Sequence, residues 1–365
     1  MHNHIKEDTS EYRPRLFFLI SAFILNGVKQ VQAAPEAAPS PPPPIYAASS
    51  DRATQADKIL RQRLPRALIG CMVMLPEETE INLRRIGKGD WVDRLQQHTQ
   101  TVCERFQVEP IRVLPGGVAG LVLLADHRGE RVVIKTQPTS LETAVIALQR
   151  LAENPYTLQL LDHDLDLNAI MIPYVAGNKP ADGSLMIDEI AAMLLSWKDI
   201  PTDAFMSLEA CVAKRVATTL ARIDSLESTK NPPDYFRLLE LLPVILELPS
   251  VLDTDGRTFM HRDFGPANLL RKKNGDLITI DIGGARGDTT YDIGSISVRA
   301  DRSHPKKTAD YIQRLSTAAG SNAEQALGWG LFHAFVSGVS LYCRENHTEA
   351  VLLNETAYLL YDLWK

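Results

Sequence analysis

The sequence predicts an α+β chain of two lobes. The small lobe would hold an antiparallel sheet and a helix, and the larger lobe would be mainly helical. Three observations predict this. Apolar runs between Ile111 and Val175 read as five strands interrupted by one amphipathic helix. From Asp188 onward the pattern turns helical. That helical pattern is broken once, by a polar loop at 260–268 and an apolar run, Leu277–Ile280, that returns as a hairpin.

Residues 1–50 read as an extension. Leu16–Val28 is largely apolar, Val31-Gln32-Ala33 resembles a small-residue cleavage site, and Ala34–Ser50 is rich in Pro, Ala and Ser. The basic residues before the run, Lys6, Arg13 and Arg15, are balanced by Glu7, Asp8 and Glu11. The run is also shorter than the roughly 20 residues that cross a bilayer. Three readings stay open: a disordered or mis-assigned start, an export signal, and an anchor at a membrane surface. No other segment suggests membrane association. The expected location is the cytoplasm, with export or anchoring left open by this segment.

Residues 51–110 should carry helices that pack on the small lobe, Ala53–Arg66 and Gly89–Val108. In the second, Trp91, Val92, Leu95, Val102, Cys103 and Phe106 recur at helical spacing. The small lobe, 111–177, then offers strands Ile111–Leu114, Leu121–Ala125 and Arg131–Thr136, the last two flanking the turn Asp126–Gly129. The helix Ser140–Ala152 and strands Leu158–Leu161 and Ala169–Val175 complete it. The stretch Gly177–Gly183 breaks the pattern and marks the boundary, leaving 178–365 as the larger lobe. Asn274-Gly275 signals a two-residue turn in the hairpin that follows the polar loop.

Composition is that of an ordinary globular protein, with 45% hydrophobic and 23% charged residues. The net charge is −6 and no basic stripe occurs, so no nucleic-acid partner is expected. Cys71, Cys103, Cys211 and Cys343 are scattered without metal-ligand spacing and read as free thiols of a reducing compartment.

The chemistry lies in the polar loop. His261, Asp263 and Asn268 stand as H-R-D-x-x-x-x-N, and Asp281 ends the apolar run that follows. Phosphoryl transfer from ATP needs an Asp to receive the hydroxyl proton, and an Asn and a second Asp to hold Mg²⁺ on the phosphates. Asp263 fits the first role, and Asn268 and Asp281 the metal roles. Asp263-Phe264-Gly265 spells D-F-G, but it overlaps the catalytic loop and is a coincidence.

Upstream, Gly116, Gly117 and Gly120 lie in P-G-G-V-A-G-L-V, a loop whose small residues would let backbone N–H groups close over phosphates. Lys135 ends the strand V-V-I-K and would reach the phosphates, with Glu142 as its ion-pair partner. After I-M-I-P, Pro173 has no N–H, so Tyr174 or Val175 would donate to adenine from a hinge. His261 would prop the loop, and Asp292 would cap the next helix or brace the metal loop. Arg286 would face phosphate or substrate. Together these features describe a two-lobed, protein-kinase-like fold.

From Gly89 onward the chain resembles the aminoglycoside phosphotransferases. The resemblance rests on G-G-V-A-G, V-V-I-K, M-I-P-Y-V-A-G, H-R-D-F-G-P-A-N-L-L and I-D-I-G-G-A-R-G-D-T-T-Y-D. The opening W-V-D-R-L and the P-G-G loop are most similar to the streptomycin 6-phosphotransferase and hydroxyurea phosphotransferase branch. Arg262 stands where that branch usually has Gly, Ile282 and Gly283 replace a usual Pro-Lys, and Thr289 replaces a usual Pro.

The resemblance implies ATP- and Mg²⁺-dependent phosphorylation of a hydroxyl on a small molecule, an aminoglycoside-type antibiotic being the first expectation. A kinase of an endogenous metabolite and a catalytically inactive binding module are the alternatives. A polycationic acceptor would call for acidic lining, for which Asp182, Asp188, Glu189, Glu324, Glu345 and Glu349 are candidates.

Overall fold

Three short helices lead into the sheet: α1 (Glu77–Arg85), α2 (Gly89–Asp93) and α3 (Leu95–Phe106). The long helix expected over 89–108 is therefore two, broken at Arg94, whose φ of −99° and ψ of 9° leave the helical region. Helix α3 ends on Gln107 in the left-handed conformation, where its N–H reaches back to the Glu104 carbonyl. The computed structural model describes residues 74–115, 119–178, 186–226, 233–300 and 304–365, all within one unit of the chain, Val73–Lys365. The extension, the helix expected at 53–66, Cys71, and Gly116 and Gly117 lie outside the described residues.

The small lobe is a five-stranded antiparallel sheet in the order β1-β2-β3-β5-β4. Its strands are β1 (Glu109–Val113), β2 (Leu121–His127), β3 (Glu130–Thr136), β4 (Asp162–Asp164) and β5 (Ala169–Pro173). Alternation decides the faces. Leu123, Ala125, Val132, Ile134, Ala169 and Met171 point to one side and pack on Val102, Cys103 and Phe106 of α3. The opposite side carries Lys135, in register with Val122 of β2 and Ile170 of β5.

Gly120 lies so close to β3 that an added Cβ would fall 2.3 Å from the Thr136 carbonyl oxygen, so no other residue fits. Strand β4 lies just beyond the expected Leu158–Leu161 and is wholly polar. As the edge strand it has no apolar signature and is held by Arg105, which bonds Asp162 and Asp164. Leu158–Leu161 stays outside the ladder, apart from the Leu161 N–H on the Met171 carbonyl. The lobe's helix, α4 (Glu142–Arg150), is shorter at both ends than 140–152.

The larger lobe contains α5 (Ile187–Leu195), α6 (Leu208–Leu226), α7 (Pro233–Leu239) and α8 (Leu242–Val251), then, beyond the polar loop, α9 (Thr290–Ala300), α10 (Pro305–Ala319), α11 (Ala323–Tyr342) and α12 (His347–Trp364). Helix α11 is the lobe's central post. It buries Trp329, Phe332, Phe335 and Val339, and the side chain of Asn322 caps its start. Helix α9 is enclosed almost completely: every residue in it is buried except Arg299.

Between the helices run β6 (Gly177–Asn178), β7 (Thr258–Met260), β8 (Leu269–Lys272), β9 (Leu277–Thr279) and β10 (Ala285–Gly287). β7 pairs with β10, and β8 lies between β6 and β9. The β8–β9 loop is longer than a two-residue turn. Lys272 accepts from the Gly275 N–H and donates to the Asp276 carbonyl, and Gly275 takes φ 94°. That makes a three-residue hairpin loop with glycine in the left-handed position. Among the described residues no helix is long and apolar enough to cross a membrane.

Candidate active site

β7 delivers the polar loop and β9 delivers Asp281 beside it. The two are tied at several points. The Ile280 N–H donates to the Asn268 carbonyl at 2.8 Å, and the Gly283 N–H to the His261 carbonyl at 3.3 Å. Buried His261 places Nε2 3.1 Å from the Ile280 carbonyl and packs at a tilt against Trp197 and Phe264. Burial holds its imidazole below its ordinary range.

Asp292 braces the loop from below. Its carboxylate accepts the N–H of His261 at 2.6 Å and of Arg262 at 3.0 Å. Full burial pushes this carboxyl up to about 7, against the pull of those two donors. Asp292 does not cap α9, because it sits inside the helix. The cap is Asp288, whose Oδ1 accepts from the Thr290 N–H at 2.8 Å and from its hydroxyl.

Asp263 projects from this platform with its side chain half exposed. Oδ1 receives Arg299 Nη1 at 2.7 Å, and Oδ2 receives Asn268 Nδ2 at 3.2 Å. Partial desolvation pushes the carboxyl up, but the Arg299 guanidinium, aided by His261 and Arg215, brings it net below the usual carboxylate range. The Asn268 amide also donates to the Asp263 carbonyl at 2.8 Å, which leaves its Oδ1 as the free acceptor. Asp281, half exposed, forms an ion pair with Lys135 from the opposite lobe. The structure thus brings Lys135, Asp263, Asn268 and Asp281 together.

Glu142 does not join them. It opens α4 with its side chain exposed, its N–H on the Ser140 hydroxyl, and the expected Lys135–Glu142 pair is replaced by Lys135–Asp281. Of the two expected hinge donors, Tyr174 spends its N–H on the Arg131 carbonyl at 3.0 Å. The Val175 N–H has no acceptor among the described residues. Arg262, the departure within H-R-D, lies along Gly283: a Cβ there would sit 2.8 Å from its guanidinium. Burial pushes the Cys211 thiol of α6 up, with the Arg262 charge pulling the other way. Arg286 is part-buried on β10, its N–H on the Met206 carbonyl.

The donor set suits a hard cation. Asn268 Oδ1 and the Asp281 carboxylate are oxygen ligands of the kind Mg²⁺ takes. Among the described residues no three His, Cys, Asp or Glu side chains gather to hold a metal alone. A metal here would complete its shell with phosphate and water, as Mg²⁺ does in phosphotransferases.

No protein-family model matches the sequence, and no curated protein matches it. Solved structures do match. Choline kinase LicA from Streptococcus pneumoniae aligns with a TM-score of 0.52 at 13% identity, over 72% of this chain and 98% of that one. A thermostable mutant of aminoglycoside phosphotransferase APH(4)-Ia aligns with a TM-score of 0.54 at 14% identity, over 72% and 97%. A choline/ethanolamine kinase family protein from Mesorhizobium loti gives 0.51 at 13%, over 73% and 95%.

The fold is kinase-like. The likeness reaches choline kinases as readily as aminoglycoside phosphotransferases and does not single out the streptomycin branch. LicA has been solved with AMP, and APH(4)-Ia with AMP-PNP and hygromycin B.

Two participants had no signal in the motifs. Arg299 meets Asp263 across 36 positions of sequence. Arg215 of α6 acts on the same carboxylate by charge. In hindsight Arg215 leaves a trace, a charged residue within the apolar stripe formed by Leu208, Cys211, Val212, Val216, Thr219 and Ile223.

Proposed function

We propose that the chain is an ATP- and Mg²⁺-dependent phosphotransferase that transfers the γ-phosphoryl group to a hydroxyl of a small molecule. The observation that carries this reading is the meeting of Lys135 with Asp281 beside Asp263 and Asn268, four residues from both lobes at one point. Nucleotides bound by proteins of the same fold support the donor.

Lys135 holds the donor phosphates by charge, and the Val175 N–H is the free hinge donor for adenine. Asn268 and Asp281 would hold Mg²⁺, which supplies charge neutralisation at the phosphates. Asp263 orients the acceptor hydroxyl. A carboxylate held below its ordinary range is a weak base, so it takes the proton late, as the new O–P bond forms and the nucleoside diphosphate leaves. Asn268 and Arg299 fix the rotamer that Asp263 needs for this.

The aminoglycoside-type acceptor and the metabolite acceptor would use these residues identically. Of the candidates for an acidic lining, two can be placed by their contacts. Glu189 is committed to Arg271, and Asp188 lines a cavity between α5 and α10. An ADP-release assay with Mg·ATP against aminoglycosides, amino alcohols and hydroxylated metabolites tests the reading. Turnover on one class, lowered by about 10²–10⁴ in Asp263→Ala with ATP binding retained, is the expected result. ATP binding without turnover on any acceptor would favour a binding module instead.

A further inference from the structure

We propose that the small lobe carries a second ligand site, a cavity behind its sheet that takes a free amino acid or a similar small zwitterion, and that filling it tightens the hold of the active site on nucleotide. The site itself stands on geometry. Its effect on nucleotide rests on the phosphotransferase reading.

The cavity has a volume of about 370 Å³, inside the ~300–1,000 Å³ range of small-molecule sites. Three segments wall it: helices α2 and α3, the residues after β3, and the turn between β4 and β5. It lies on the α3 side of the sheet, away from Lys135. The three segments are tied to one another. His98 of α3 places Nε2 2.8 Å from the Thr136 hydroxyl, which lies 3.2 Å from the Leu167 carbonyl. A carbonyl only accepts, so Thr136 donates to Leu167 and receives the Nε2 proton of His98. The Gln137 N–H bonds the Asn168 carbonyl at 3.3 Å. The walls are thus held in place before any ligand arrives.

The lining decides the ligand. Arg94, at the break between α2 and α3, and Asp166, in the β4–β5 turn, are exposed side chains of one cavity that do not pair with each other. The Arg94 Nε donates to the Asp90 carbonyl at 3.1 Å, which steadies the guanidinium. Trp91, its ring 5.6 Å from that of His98, supplies an apolar wall together with Pro138 and Leu167. A guanidinium, a carboxylate and an indole in one cavity match a carboxylate, an ammonium and an apolar side chain on one small molecule. A monoanion would meet Asp166 as like charge and a monocation would meet Arg94, which disfavours both.

The route to the active site is short. Thr136 follows Lys135 in β3. A Cβ on Gly120 would fall 2.3 Å from the Thr136 carbonyl oxygen and 2.6 Å from the Gln137 Cβ, so the end of the glycine loop rests on the same two residues. A ligand that joins Arg94 to Asp166 clamps α3 and the β4–β5 turn around Thr136 and Gln137. That steadies Lys135 and Gly120, and groups already ordered cost less to engage when nucleotide binds. The coupling is reciprocal.

Calorimetry on the full chain tests this with leucine and phenylalanine. Neither has an alcohol hydroxyl, so neither stands in for the acceptor. The deaminated and decarboxylated analogues, 4-methylpentanoate and 3-methylbutylamine, 3-phenylpropanoate and phenethylamine, keep one charge each. At least one amino acid should bind, and its analogues should bind about tenfold more weakly or worse. Arg94→Gln and Asp166→Asn, both at exposed positions, should each weaken that binding by about tenfold and leave Mg·ADP affinity without amino acid unchanged. Saturating amino acid should tighten Mg·ADP about fivefold or more in the parent, and Mg·ADP should tighten the amino acid by the same factor.

Absence of millimolar binding by both amino acids, analogues that bind as well as the amino acids, or equal binding by the parent and the two variants would each overturn the site. Binding that leaves Mg·ADP affinity unchanged would overturn the coupling. A chain that binds an amino acid but no Mg·ADP would uphold the site and overturn the phosphotransferase reading instead.

Discussion

Asp281 is held at φ 60° and Arg262 at φ 74°. The other non-glycine residues with positive φ among the described residues, Gln107, Arg128, Asn168 and Glu345, sit in turns or just past helix ends, where that conformation is common. Asp281 and Arg262 flank the site instead, so backbone strain collects where the carboxylates must be aimed. This can be measured by comparing Asp281→Gly with Asp281→Ala. Both lose the carboxylate and the Lys135 pair, so the difference between them isolates the backbone. The Gly variant should be the more stable by about 1 kcal/mol in urea denaturation. Equal midpoints would mean that residue 281 does not keep this conformation in solution.

Asp263, Asn268, Asp281 and Lys135 were legible because their spacing is local or strand-borne. Glu142 was misread, since position at a helix start says nothing of where the side chain turns. Arg299 gave no sign because its meaning lies in a contact with a loop 36 residues away, and Arg215 left only the trace of a charge within an apolar stripe.

Elements whose burial followed a period were read well, and elements held by charge were not. Strand β3 alternates clearly and β2 is an apolar run, whereas β4 is Asp-His-Asp and is pinned by Arg105 to the edge of the sheet. Helix α9 shows a different limit. It is enclosed on nearly every side, so periodicity alone does not tell which face packs, and that enclosure is what fixes Asp292 and Arg299 under the loop. The enclosure depends on Gly294: a Cβ there would fall 2.6 Å from the Gly330 amide nitrogen and 2.8 Å from the Trp329 carbonyl carbon, both backbone of α11. Gly338 also lies on α11, but the nearest atom to a Cβ there would be the tip of Leu238, at 3.0 Å, with Leu353 in ordinary contact.

Alanine in a helix is favoured over glycine by about 1 kcal/mol, while forced overpacking costs about 1–3 kcal/mol. Gly294→Ala should therefore lower the melting temperature and reduce turnover together, as α9 shifts. Gly338→Ala should be neutral or slightly stabilising. A stable, fully active Gly294→Ala would show that the α9–α11 crossing is looser than described.

Across the whole molecule, the two lobes meet at the site through Lys135 and Asp281. Their side chains are 20% and 50% exposed, so the pair is worth at most about 1 kcal/mol and serves to aim the groups rather than to hold the lobes together. A nucleotide and metal that use both residues should add far more. At one hundred times its dissociation constant, a ligand that binds only the folded state adds about 2.7 kcal/mol. For a protein this large, each kcal/mol moves the melting temperature by roughly 2–4 °C. Mg·ADP should therefore raise the melting temperature of the parent by several degrees.

The pattern across variants separates the roles. Asp281→Ala should abolish the shift, because it removes a metal oxygen and the partner of Lys135. Lys135→Ala should reduce it, since it removes a phosphate contact and the partner of Asp281 but no metal oxygen. Asp263→Ala should keep it while losing turnover, because that carboxylate faces the acceptor. Chelating Mg²⁺ should collapse the shift in the parent to that of Asp281→Ala. A shift indifferent to both chelation and Asp281 would place the nucleotide elsewhere, and the convergence of the four residues would then need another explanation.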